Sequence, residues 1–102
     1  MAKVVVGKAN DIPSGKMVSV QAGGKEILVA NVEGKYYAMG DICNHSGANL
    51  HEGRLNGKEV TCPWHGSKWD VTTGKLIWFP APLKPEETYK VSVEGDTVYV
   101  EV

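Results

Sequence analysis

Both cysteines and two of the three histidines of this chain fall into two short stretches, Cys43-Asn44-His45 and Cys62-Pro63-Trp64-His65. As a pattern this is C-x-H, sixteen residues, then C-x-x-H. Thiolates and neutral imidazoles are ligands for zinc and for iron–sulfur clusters. Four of them suffice to close a tetrahedral zinc site or to hold a two-iron cluster. A single disulfide, the other common use of two cysteines in a secreted chain, leaves the placement of both histidines unexplained.

Spacing separates the metals. A structural zinc site is usually built from C-x-x-C knuckles, and neither stretch is one. One sulfur and one nitrogen per stretch suit a [2Fe–2S] cluster that takes two cysteines on one iron and two histidines on the other. The residues C-x-H (Cys43, His45), C-P-x-H-G (Cys62, Pro63, His65, Gly66), Trp69-Asp70 and Gly74 resemble a known family, the small soluble Rieske-type ferredoxins. The likeness runs through most of the chain, and its specific part is confined to residues 43–83.

The resemblance implies a Rieske-type [2Fe–2S] cluster as cofactor, with Cys43 and Cys62 on the inner iron and His45 and His65 on the outer iron near the surface. It implies a one-electron carrier and not an enzyme on its own. Such a carrier takes electrons from a flavin- or pyridine-nucleotide-dependent reductase to an acceptor such as a terminal oxygenase. The partners are then redox proteins, met through the exposed histidine edge. Respiratory Rieske subunits carry an extra cysteine in each ligand loop, where this chain has Gly47 or its neighbours and Trp64. They also carry a membrane anchor, which is not seen here, so the reading is a soluble, cytoplasmic, monomeric carrier. Two other readings stand beside it. One is a structural zinc module used for protein contact. The other is a Rieske-like small subunit of a larger oxidoreductase such as a nitrite reductase; some of those have lost the ligands, and all four remain here.

Replacing two thiolates by two neutral imidazoles removes two negative charges around a cluster. Histidine-ligated centres accordingly lie at about −150 to +300 mV, against about −400 mV for four-cysteine plant-type clusters. High-potential members of the family have a serine and a tyrosine after the second ligand loop, both donating toward sulfur. Ser67 keeps the first place and Trp69 stands in the second, so the potential is expected below the high-potential class. The imidazoles should titrate as a coupled pair, with the potential falling ~59 mV per pH unit where one proton accompanies one electron.

The elements that must position these loops read as strands. Residues 3–8 are rich in valine, 17–21 alternate apolar and polar, and 26–32 follow a Gly23-Gly24 turn. Glu33-Gly34-Lys35 reads as a hairpin turn into residues 36–39, and 89–93 and 97–102 alternate around Glu94-Gly95-Asp96. Glu59-Val60-Thr61 is expected to be a strand delivering Cys62 to its loop, with Gly66 allowing a tight turn. No sustained helical period appears, and twelve glycines and five prolines fit turns. The expected fold is all-β, an antiparallel sandwich or small barrel. The 102 residues form one domain with an inserted cluster-binding subdomain at about 41–83, which holds both ligand pairs and all three tryptophans.

Around the site, Trp64 and Trp69 are expected in the core of that subdomain and Leu50 packed over the cluster. Residues 79–83 resemble a covering loop with Pro80 as a shield. His51 is expected at the surface of a polar loop, and Glu86-Glu87 in solvent. Net charge is −1, which gives no sign of nucleic acid or anionic membrane as partner. No apolar run approaches the roughly 20 residues of a membrane span, and residues 1–7 read as too short and too β-like for a signal peptide.

Overall fold

The run Ile27-Leu28-Val29-Ala30 is apolar at consecutive positions, which in a strand means burial on both faces. A computed structural model, which describes residues 3–44 and 47–102, places it in the strand Lys25–Val32 (β3) with all four side chains fully buried. Successive side chains point to opposite faces. Ile27 and Val29 join one core with Ile12, Ala38, Val98 and Val100. Leu28 and Ala30 join a second core with Met39, Leu50, Val60, Trp69, Val71 and both cysteines. This strand is therefore the wall between two hydrophobic cores, and the second core carries the candidate site.

The first core lies inside a six-stranded antiparallel sheet. Its strands are Lys3–Lys8 (β1), Met17–Ala22 (β2), β3, Lys35–Gly40 (β4), Thr88–Glu94 (β9) and Thr97–Glu101 (β10), in the order β1-β10-β9-β4-β3-β2. The two edge strands β1 and β2 approach each other, so the sheet curls into a nearly closed barrel. Between β4 and β9 the chain builds a second sheet of four short strands in sequence order: Arg54–Asn56 (β5), Glu59–Thr61 (β6), Lys68–Asp70 (β7) and Leu76–Trp78 (β8). Two one-turn 3-10 segments, Ala9–Asp11 and Leu50–Glu52, complete the regular structure among the described residues. The fold is all-β and antiparallel, as expected.

The hairpin turn between β3 and β4 is tighter than the three residues read from sequence. Glu33 and Gly34 both have positive φ (53° and 90°), the two-residue turn whose twist matches paired strands. Strands β5, β7 and β8 were not foreseen. Each is three residues long, too short for a period to show in the sequence. No helix among the described residues is long and apolar enough to cross a membrane.

Candidate functional site: two like-built loops

Cys43 and Cys62 open two loops with the same backbone plan. The Cys43 N–H donates to Ala48 O (2.8 Å), and the Gly47 N–H donates back to Cys43 O (2.9 Å). The Cys62 N–H donates to Ser67 O (2.8 Å), and the Gly66 N–H donates back to Cys62 O (3.2 Å). Each loop thus turns on a glycine four residues after its cysteine. Gly47 and Gly66 have φ of 76° and 75°, conformations that side chains rarely adopt. The likeness is hidden in the sequence, because the histidine is two residues after Cys43 and three after Cys62.

The elements explain where each side chain goes. Strand β6 runs straight into Cys62, and β7 begins one residue after Ser67. The second loop is therefore the connection of a hairpin. The first loop is closed by an isolated bridge between Ile42 and Asn49. Both thiols point inward and are 2 % exposed, in the second core beside Leu28, Met39, Leu50 and Trp69. His65 is exposed. His45 lies outside the described residues.

Among the described residues, no three His, Cys, Asp or Glu side chains gather around one point. A two-iron cluster does not need them to, since each of its irons takes only two protein ligands. Two buried thiols below an exposed imidazole are a donor set that fits such a cluster, sulfur inward and nitrogen outward.

Ser67 is buried, with its Oγ 3.6 Å from Cys43 Sγ. Trp69 is fully buried, and its indole Nε1–H donates to that same oxygen (3.0 Å). The indole is a donor only, so Ser67 accepts from it, and toward a deprotonated, metal-bound Cys43 sulfur the hydroxyl is the group with a proton to give. Trp69, in the place of the family's tyrosine, thus donates to the serine oxygen.

Asp41 anchors the first loop. Its carboxylate is fully buried and accepts from the His51 N–H (2.8 Å) and from Asn49 Nδ2 (2.9 Å), with His51 Nδ1 at 2.6 Å. The His51 ring is thus turned to Asp41 and is not the simple surface residue expected. It lies in the one-turn segment Leu50–Glu52 that follows the first loop. Asp70 plays a similar part in the turn before β8. Burial acts to raise its carboxyl, but hydrogen bonds from the Thr72 hydroxyl and amide, with Lys58 nearby, outweigh that and hold it below the ordinary value.

Two expectations are corrected here. Trp64 is not a core residue; it stands 62 % exposed beside His65, because the outer end of the second loop projects beyond the core. Glu86 is not solvated; it is 7 % exposed, and its Oε2 accepts from the Asn44 N–H (3.1 Å). Burial, with Cys43 and Asp41 close by, pushes its carboxyl up to about 7. Its neighbour Glu87 is exposed and pairs with Lys25, as a solvated glutamate should. Nothing in the string Glu86-Glu87 distinguishes the two, so only the packing could. In residues 79–83, Leu83 packs on the second core, while Pro80 is exposed.

Residues 2–98 match the family described as Rieske [2Fe-2S] domain. The chain is 40 % identical, over 91 % of its length and 88 % of the relative's, to the ferredoxin component of the naphthalene 1,2-dioxygenase/salicylate 5-hydroxylase systems of a Ralstonia species. It superposes on the ferredoxin of carbazole 1,9a-dioxygenase from Nocardioides aromaticivorans IC177 with TM-score 0.91 at 28 % identity, covering 98 % of this chain and 97 % of that one. It likewise matches a chain in the complex of reduced oxygenase and oxidized ferredoxin in carbazole 1,9a-dioxygenase, with TM-score 0.90 at 33 % identity over 96 % of this chain and 91 % of that one. Two buried cysteines in like-built loops, one exposed histidine and these relatives agree, and the chain belongs to the Rieske [2Fe–2S] domain family as a small Rieske-type ferredoxin with a Rieske-type [2Fe–2S] cluster as its cofactor.

Proposed function

We propose that Cys43 and Cys62 hold the inner iron of the cluster and that His45 and His65 hold the outer one, within a single domain whose residues 41–83 form the cluster-binding part. The observation that carries this is the contrast between the two buried thiols and the exposed His65 in loops of the same build. When bound, the cluster supplies one-electron chemistry. The cysteine side chains keep its sulfur-ligated end away from water. Ser67 and Trp69 direct a hydroxyl proton at the Cys43 sulfur. The exposed imidazole edge, with Trp64 beside it, offers partners a short path for the electron.

The protein serves as an electron carrier between a reductase and a terminal oxygenase in the cytoplasm. The named relatives are dioxygenase ferredoxin components, and a structure similar to this chain comes from a ferredoxin–oxygenase complex. Electron paramagnetic resonance of the dithionite-reduced protein, with iron and acid-labile sulfide assayed on the same sample, tests the site. Two irons and two sulfides per chain and a rhombic spin-half signal, with average g below that of four-cysteine clusters, are expected. A colourless, silent protein holding zinc would remove the reading.

A further inference from the structure

Asn44 sits between the two proposed ligands of the first loop, and both of its nitrogens are held by one distant segment. Its side-chain Nδ2 donates to Lys84 O (2.8 Å) and Pro85 O (3.2 Å), and its backbone N–H donates to Glu86 Oε2 (3.1 Å). The backbone of Glu86 and its neighbour Glu87 is tied down as well. The Glu86 N–H donates to Gly74 O (2.7 Å), and Gly40 N–H donates to the carbonyl of Glu87 (2.8 Å). The other Glu86 carboxyl oxygen, Oε1, fills a notch at Gly40, where a Cβ would stand only 2.6 Å away. A charged side chain is seldom buried without a purpose-built seat, and this seat lies against the ligand loop.

We propose that Glu86 is a positioning residue for the redox site: seated at Gly40, its carboxylate holds the Asn44 peptide and sets one negative charge beside the first ligand loop, so lowering the reduction potential. The inference rests on the proposed ligand set. Adding an electron next to a fixed negative charge is opposed by Coulomb repulsion, which is strong where water is excluded. Asp41 and Cys43 face the same carboxyl from the first loop. Lys25 and Glu26 of β3, Tyr89 of β9 and the flanking Lys84 and Glu87 line the recess outside it. Lys25 is already engaged by Glu87, which leaves the Asn44 N–H as the donor that holds the Glu86 carboxylate.

The test is the reduction potential of the cluster-loaded wild type, E86Q and E87Q at pH 8.5. Glutamine keeps an oxygen for the Asn44 N–H and removes the charge. E86Q should favour the reduced form by about threefold to tenfold over wild type, an upward shift of ~59 mV per tenfold, while E87Q should follow wild type. E86Q tracking wild type, or E87Q shifting as far as E86Q, overturns the inference. If E86Q does not load, Gly40→Ala replaces it. The added Cβ displaces the carboxyl toward solvent, and an unchanged potential at pH 8.5 then overturns the inference. Wild type without two irons and two sulfides would overturn the proposed function itself, and this inference with it.

Discussion

Ser67 has one proton to give, and a deprotonated, metal-bound Cys43 sulfur has none. With the indole N–H on the serine oxygen (3.0 Å), the hydroxyl is then the donor toward Cys43 Sγ at 3.6 Å. A hydrogen bond to sulfur stabilises the reduced, more negative state. Its removal in Ser67→Ala should lower the potential, by about 40–60 mV if the bond is worth about 1–1.4 kcal/mol. Trp69→Phe keeps the ring in the core and loses only the donor, so a smaller fall is expected. Trp69→Tyr places a hydroxyl where the family's high-potential members have one and should raise the potential. Redox titration of the three variants decides; an unmoved Ser67→Ala would mean that this hydroxyl does not act on the sulfur.

At the level of elements, the two ligand loops are held by different means. The second is a hairpin connection between β6 and β7 and inherits its geometry from their pairing. The first has no such ladder and depends on Asp41, whose buried carboxylate gathers Asn49 and His51. Asp41→Ala should therefore cost about 2–4 kcal/mol, since it removes a fully buried acceptor from a part-buried amide N–H, the Asn49 amide and an imidazole at once. Urea unfolding would measure it, and a loss below 1 kcal/mol would deny the anchoring role. The turn after β7 is keyed to the segment before β9 at Gly74. This glycine has φ 75°, and a Cβ there would stand 2.3 Å from Glu86 O. Gly74→Ala carries both backbone strain and a backbone clash and should lower the melting temperature by several degrees.

Across the whole molecule, charge and surface make two further predictions. Folding raises the Glu86 carboxyl from 4.5 to about 7. Below pH 4.5 it is neutral in the folded and unfolded chains alike. Between 4.5 and about 7 the unfolded chain ionises first, so the stability this group contributes is lost as pH rises through the folded value. Relative to Glu86→Gln, wild type should therefore lose about 1–3 kcal/mol between pH 5 and pH 8. Parallel melting curves of wild type and variant would contradict this. Trp64, 62 % exposed beside His65, packs into neither core. Trp64→Ala should leave potential and melting temperature unchanged while slowing electron delivery to an acceptor protein several-fold, as loss of an aromatic interface anchor does. Stopped-flow oxidation of the reduced protein by that acceptor reads it directly.

The sequence alone determined the donor types and the strand framework. Thiols and imidazoles at C-x-H and C-x-x-H spacing leave few chemistries open. Long alternating strands such as those at 17–21 and 97–102 announce themselves by their period. A strand of three residues has no period to read, so β5, β7 and β8 emerged only in the fold. The tertiary structure decided what lies far apart in the chain but adjacent in space. Examples are Asp41 with His51, Asn44 with Glu86, and the separation of two glutamates that read alike into one buried and one exposed. Trp64 and Trp69 likewise read alike, and one is exposed while the other is fully buried. Burial depends on which side of β3 and beneath which loop a residue comes to rest. That is settled by long-range packing, which local residue types do not encode.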